Sequence, residues 1–192
     1  MVTQKTDKPR LTYADLCRMF PEEDNVRREI IDGELLVPPS ATARHQRVVG
    51  RMYMVLESWA REHGGEAFVS PLDTQFTEED VVQPDVLYIA PDHLDPAIAR
   101  PIRDLDLVVK VSSPSTTRID LGRKRELYEQ HRIPEYWFVD LDADRIEIYR
   151  LQGEGYGDPL FVRRGDRLTS PLLPGFAASV DELLGPEPEG AG

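Results

Sequence analysis

The stretch LVVKVSSPST, residues 107–116, decides the fold and raises the first question about function. Leu107, Val108 and Val109 run into Lys110, Val111 follows, and Ser112-Ser113-Pro114 breaks the run. A segment apolar on both faces suits the centre of a covered sheet, so a buried strand is expected here. A lysine inside such a strand loses hydration that only a partner or a function offsets.

Upstream, EAFVSPLDTQF (66–76) and VVQPDVLYIA (81–90) read as two further strands, with Glu78-Glu79-Asp80 at the turn between them. Downstream, Thr117 with Asp120 three residues on has the form of a capping box, which would open a helix running to about Arg132. EYWFVD (135–140) and RIEIYRL (145–151) follow as strands joined by an Asp-rich turn. Nearer the N-terminus a short helix is expected at 12–19. RREIIDGELLV (27–37) reads as a hairpin about Asp32-Gly33, a dipeptide suited to tight turns. From about Ala43 to His63 the apolar pairs Val48/Val49, Met52/Tyr53, Val55/Leu56 and Trp59/Ala60 form one helical stripe, and Gly64-Gly65 ends it. The order implies an α/β or α+β domain, a mixed sheet with helices packed on it.

At 192 residues one domain is expected, here over 11–184. Residues 1–10 and the tail GPEPEGAG (185–192) are expected to be disordered on composition. A net charge of −12 excludes a nucleic-acid binder that relies on global positive charge, though not a local basic groove. Cys17 is the single cysteine, so an internal disulfide is excluded and a reducing cytoplasm is the expected location. No membrane span is expected, since no window has the run of about 18–20 apolar residues that one requires.

Phosphate-binding, dinucleotide-binding and serine-hydrolase glycine motifs are absent. His45, His63, His93 and His131 are spaced too widely for a local zinc motif. Asp140, Asp142 and Asp144 alternate as in a calcium loop, but Arg145 and Leu151 stand where that loop needs glycine and glutamate, so a hairpin turn is expected. What remains is a set of misplaced charges. Asp85 sits in one buried-type strand and Lys110 in another, while Lys124 shares a helical face with Leu121 and Tyr128. Each alone is compatible with ordinary pairing or snorkelling. Together they form a candidate site. Tyr136 and Trp137 are expected to be core aromatics.

Here the residues resemble a known family. EIIDGELL (29–36), HQRVVGRM (45–52), VVQPDVLYI (81–89), LVVKVSSPST with Asp120 beyond it, LGRKRELY (121–128) and IPEYWFVD (133–140) closely resemble, in order, the Uma-two endonuclease family. That family belongs to the PD-(D/E)xK, restriction-endonuclease-like superfamily, and the resemblance spans roughly residues 12–184. It implies a central mixed sheet flanked by helices and metal-dependent cleavage of phosphodiester bonds in DNA, with magnesium or manganese as cofactor. It makes Asp85 a metal ligand, gives Lys124 the place of the motif lysine and His45 that of a histidine of the site, and offers Glu34 as a supplementary ligand. The family's next strand carries a glutamate where this chain has Lys110, and a leucine where it has Ser112.

That departure changes the local charge by two units and removes a ligand. Two unit charges about 4 Å apart interact by roughly 4 kcal/mol at an effective dielectric of 20, and a dication facing an ammonium fares worse. Three readings stay open: a degenerate site, an active site in which Lys110 replaces the missing motif lysine, or a substitution peculiar to this chain. Arg44, Arg47 and Arg51 recur at helical spacing and, with Arg118, Arg123 and Arg125, are candidate phosphate contacts or solvated charge. A nuclease acting on DNA is the leading expectation, and the alternative is a non-catalytic module binding nucleic acid or a protein partner, with a homodimer as one form.

Overall fold

A computed structural model describes residues 10–20, 26–95 and 101–186. The terminal segments expected to be disordered lie almost wholly outside the described residues. Helix α1, Tyr13–Met19, starts at Thr12, whose side chain and that of Asp15 form a capping box. β1 (Glu29–Ile31) and β2 (Glu34–Leu36) form the hairpin, with Asp32 and Gly33 at φ 53° and 74° in its turn. Helix α2 runs Ala43–His63 as the apolar stripe requires; the Thr42 side chain caps its start and Gly64, at φ 93°, ends it.

The two upstream strands are each split. EAFVSPLDTQF yields β3 (Glu66–Val69) and β4 (Thr74–Gln75), interrupted at Ser70-Pro71. VVQPDVLYIA yields β5 (Val81–Val82) and β6 (Val86–Ile89), and these belong to different sheets. Pro84 has no N–H to continue a ladder, so the chain changes sheets there and leaves Asp85 at the junction. β7, Leu107–Val111, is the expected buried strand. The next helix comes in three parts: α3 (Thr117–Ile119), a π-helical segment Asp120–Lys124, and α4 (Arg125–Gln130). The expected capping box is not formed. Thr116 is the cap residue, Thr117 Oγ1 donates back to the Ser113 carbonyl at 3.0 Å, and Asp120 turns to Lys124 instead.

β8 (Glu135–Asp140) and β9 (Arg145–Gln152) follow, their turn tied by Asp140, which accepts from the backbone N–H of Asp142 and Ala143. Beyond them lie elements not foreseen individually: β10 (Gly155–Tyr156), β11 (Leu160–Arg163), β12 (Arg167–Thr169), β13 (Ala177–Ser179) and α5 (Val180–Leu184).

The main sheet has the order β10-β9-β8-β7-β6-β3, with β11 also on β9; among its described strand pairs β7 and β8 run parallel and the others antiparallel. A second sheet, β2-β1-β5-β4, stands beside it, and β12 pairs β13. Alternation along β7 sorts the core. Leu107, Val109 and Val111 join Val48, Met52, Leu56 and Leu183 on one face, whereas Val108 joins Leu127, Tyr128, Tyr136 and Phe138 on the other. Trp137 and Tyr136 are fully buried on opposite faces, as core aromatics should be. Period-two alternation puts Lys110 on the face of Val108, under the broken helix.

Candidate active site

β6 and β7 are antiparallel with Val86 opposite Val109, so one further step sets Asp85 opposite Lys110. The Asp85 N–H donates to the Val109 carbonyl at 3.1 Å, which holds that register past the end of β6. Lys110 Nζ lies 3.2 Å from Asp85 Oδ2 and 3.4 Å from the Gln83 carbonyl oxygen. Oδ2 also accepts from the Val111 N–H at 2.9 Å, and His45 Nε2 stands 3.7 Å away. Oδ1 accepts from Arg27 at 3.0 Å, and a second Arg27 nitrogen reaches the Gln83 carbonyl. Burial by itself would raise the Asp85 pKa, but the Lys110 ammonium, His45 and Arg27 outweigh it and hold the carboxyl well below its ordinary range.

A second ion cluster adjoins the first. Lys124 Nζ is 2.5 Å from Glu29 Oε2 and 3.0 Å from Asp120 Oδ1, all three side chains being buried. The π-helical segment carries both Asp120 and Lys124, an irregular helical form common at functional sites. Glu29 Oε1 accepts the Gln83 N–H at 2.8 Å, which joins this cluster to the strand junction beside Asp85. Burial opposes charge on both partners. The Lys124 ammonium, with Lys110, nevertheless keeps Glu29 below its ordinary value, and Glu29 with Asp120 raises Lys124 above its own. Arg27, His45, Asp85, Lys110 and Lys124 all line one crevice of about 30 Å³.

The structure thus brings Asp85, Lys110, Lys124 and His45 together. Glu34 stands apart: its half-exposed carboxylate receives Arg123 at 2.8 Å on the outer hairpin. The acid that does enter is Glu29, which sequence reasoning passed over. The signal was available, because Glu29 is a charge in an apolar strand like Asp85, and β1 is buried along its length. Arg123 is engaged by Glu34, Asp32 and the Ile31 carbonyl, and Arg44 by Asp144 and the Leu141 carbonyl. Both tie elements of the fold together. Arg47 is exposed on α2. Ser112, in the leucine's place, accepts the Leu141 N–H at 2.9 Å and anchors the end of β7 to the β8–β9 turn.

Do these residues suit a divalent metal? Magnesium needs several oxygen ligands in near-octahedral array. Both Asp85 oxygens are already taken by cations or N–H donors, and no group of three acidic, histidine or cysteine side chains among the described residues is arranged to hold a metal. Three carboxylates, Asp85, Glu29 and Asp120, are matched by three cations, Lys110, Lys124 and Arg27. A dication entering this neutral cluster would meet the Lys110 ammonium between two of the oxygens it needs. The arrangement does not fit magnesium as it stands.

Comparison with known proteins agrees with the fold. Residues 12–181 match the model of the Uma2 family, described as "Putative restriction endonuclease". An uncharacterized protein of Synechocystis is 27% identical over 140 residues, covering 69% of this chain and 77% of its own. The crystal structure of a "putative nuclease" from Anabaena variabilis superposes with a TM-score of 0.76, covering 91% of this chain and 97% of that one at 17% identity. Among the described residues no helix is long and apolar enough to cross a membrane. With a mixed sheet flanked by helices, a Pro-Asp at the sheet junction and a family match over nearly its whole length, the chain belongs to the Uma2 family and has a restriction-endonuclease-like fold.

Proposed function

We propose that the protein engages the phosphodiester backbone of DNA at the Asp85 crevice, as an endonuclease whose hydrolytic power is impaired by Lys110. Magnesium or manganese binding is weak in this reading, because an ammonium ion tethered to β7 already occupies the space between Asp85 and the Gln83 carbonyl. The observation that carries the proposal is the 3.2 Å contact of Lys110 with an Asp85 whose other oxygen is held by Arg27.

The chemistry follows from charge. Phosphodiester hydrolysis requires charge on the phosphoryl oxygens to be stabilised as water attacks, and a dication also acidifies that water. Lys110 supplies one fixed positive charge and does not acidify water as a bound dication does. Its ammonium, with Arg27 beside it, can still meet a phosphate oxygen. Slow cleavage is the consequence, and in the limit a non-catalytic DNA-binding module. The balance of three carboxylates against three cations is the observation that favours this second reading.

Calorimetric titration with manganese, on the wild type and on Lys110→Glu, tests the proposal. The variant should bind clearly more tightly, and supercoiled plasmid should be nicked faster by it than by the wild type. Equal manganese affinity in the two proteins would remove position 110 from the site. Nicking that survives both Asp85→Ala and Lys124→Ala would place the activity elsewhere.

A further inference from the structure

The second sheet, β2-β1-β5-β4, has one edge closed and one open. At β4 the closure is a parallel bridge from Thr74 to Ile102, whose backbone donates to Asp73 and accepts from Gln75. β2 has no such neighbour among the described residues. Asp32 and Gly33, at φ 53° and 74°, make the type I′ turn between β1 and β2, so the closing pair Ile31–Glu34 exchanges hydrogen bonds, as does Glu29–Leu36. Leu35, between them, therefore turns its N–H and C=O away from β1. Pro38 favours extended backbone at Val37, which carries the alternation one step further and turns Val37 outward as well.

Exposed strand edges are ordinarily guarded by proline, charge or a covering element. β11, an edge of the main sheet, is guarded. The Leu151 N–H donates to the Pro134 carbonyl on the β8 side, so Ile146 and Ile148 face β11 and bond Val162 and Leu160, leaving Phe161 outward. On either side of Phe161, Pro159 has no N–H, and the Arg163 N–H is given to Asp166 Oδ2 at 2.8 Å. β2 shows the opposite. Its run Leu35–Val37 carries neither proline nor charge, Val37 is 56% exposed, and no hydrogen bond from the described residues reaches the outward backbone of Leu35 or Val37. The run has sharp ends. Gly33 gives its N–H to the Glu79 carbonyl and its C=O accepts from Leu11, while Pro39 has no N–H.

We infer that this edge is where two copies of the chain join, β2 pairing antiparallel with the partner's β2 about a two-fold axis at Leu36. In that register Leu35 lies opposite the partner's Val37, and every free donor on the edge meets a free acceptor. An axis at Leu35 would instead set Val37 against the partner's Gly33, whose backbone groups are taken. Charge agrees with the same register. Glu34, the strand's one ionised side chain, faces the partner's Pro38 rather than its own copy, and Arg123 neutralises it at 2.8 Å. Leu36 packs on the core, so Leu35 and Val37 lie on the other face, where those of the two copies close into one apolar cluster. Such self-pairing is isologous and stops at two copies. The dimer does not depend on the DNA reading, though its edge abuts the site: β2 leads into Pro38 and Pro39, which line the Asp85 crevice.

An edge this short buries less than a standard interface, so the dimer should dissociate with a Kd on the order of 10 µM. Sedimentation velocity from about 1 to 200 µM, which brackets that constant, should show the wild type passing from monomer to dimer. Val37→Lys, at an exposed position, should keep the wild-type Tm and weaken the dimer at least about tenfold. Phe161→Lys, on the guarded edge, should dimerise as the wild type does. Cysteine pairing reads the register. With the exposed Cys17 changed to Ser, Leu36→Cys sets two thiols on the axis, in a pair whose Cα atoms lie about 4.5 Å apart and can be bridged. Mild oxidation should crosslink that variant and not Glu34→Cys, whose two copies lie about 14 Å apart along the strand.

A wild type that stays monomeric through the whole concentration range ends the inference and leaves the edge to a strand of another protein. A dimer that survives Val37→Lys, or that Phe161→Lys dissolves instead, lies elsewhere on the molecule and overturns it. Crosslinking at position 34 but not at 36 overturns the two-fold at Leu36. None of these readouts uses DNA or metal, so their failure leaves the proposed function standing.

Discussion

Glu29 on the first hairpin and Lys124 on the π-helical segment meet at 2.5 Å, each almost wholly buried, and that pair locks the second sheet to the broken helix. Asp120 flanks Lys124 at 3.0 Å, so one ammonium serves two carboxylates. A buried pair of this kind adds little over an apolar replacement of both partners, but losing one partner leaves charge stranded.

Lys124→Met therefore strands Glu29 and Asp120. The expected loss is about 3–5 kcal/mol of unfolding free energy, read from urea denaturation at neutral pH. Without Lys124, burial should raise the Glu29 carboxyl, so this variant gains stability as the pH falls from neutral towards the carboxylate range. A loss smaller than about 1 kcal/mol, the scale of an exposed pair, would contradict the burial described for this contact.

The wild type has the opposite acid response. Glu29 and Asp85 lie below their ordinary values of 4.5 and 3.8. Their contribution is complete above those values and is lost as falling pH protonates them in the folded state. Lys124 lies above its ordinary 10.5, so its contribution is complete below that value and is lost as the pH rises through the higher folded-state value. Urea midpoints should be nearly level between about pH 6 and 9 as far as this cluster goes, falling below about pH 4 and above about pH 10.5. A maximum near pH 4 would show that these carboxyls are not held ionised.

Lys110→Glu should be unstable without metal and rescued by it. The substitution sets a new carboxylate beside Asp85 and near Glu29, and like charges in one buried place repel. Thermal unfolding in chelator should show a lower Tm than wild type, and millimolar manganese should raise the variant's Tm by several degrees while barely moving the wild type. A wild type that shifts as much as the variant would mean that Lys110 does not keep the ion out.

Arg44 and Arg47 separate structure from binding on one helix. Arg44 bridges α2 to the β8–β9 turn through Asp144 and the Leu141 carbonyl, whereas Arg47 is exposed. Arg44→Ala should lower stability by about 1 kcal/mol or more, as loss of a charged hydrogen bond does. Arg47→Ala should leave stability unchanged and reduce the salt dependence of DNA binding by about one ion. If Arg47→Ala leaves affinity and salt slope as in wild type, α2 does not face the DNA backbone.

Short-range order was legible in the chain. The α2 stripe and its glycine stop, the Asp32-Gly33 hairpin, β7 and the β8–β9 pair all rest on local periodicity or turn chemistry, and the structure has them where those signals lie. The strand at 81–90 misled because its apolar pattern continues across Gln83-Pro84-Asp85 while its hydrogen bonds do not. Thr117 and Asp120 misled because a cap motif in sequence does not say whether a buried lysine one turn on will claim the carboxylate.

By itself the sequence determined which residues are anomalous: a charge in a buried strand is costly wherever the chain goes, so Asp85, Lys110 and Lys124 stood out. Only the tertiary structure decided who neutralises whom. It put Lys110 opposite Asp85 through the β6–β7 register, gave Glu29 rather than Glu34 to Lys124, and spent Arg44 and Arg123 on structural ion pairs. The physical reason is range. Backbone preference and amphipathic period act over a few residues, whereas charge pairing in a dry interior depends on which elements meet, and that is settled only when two sheets and a broken helix close on one another.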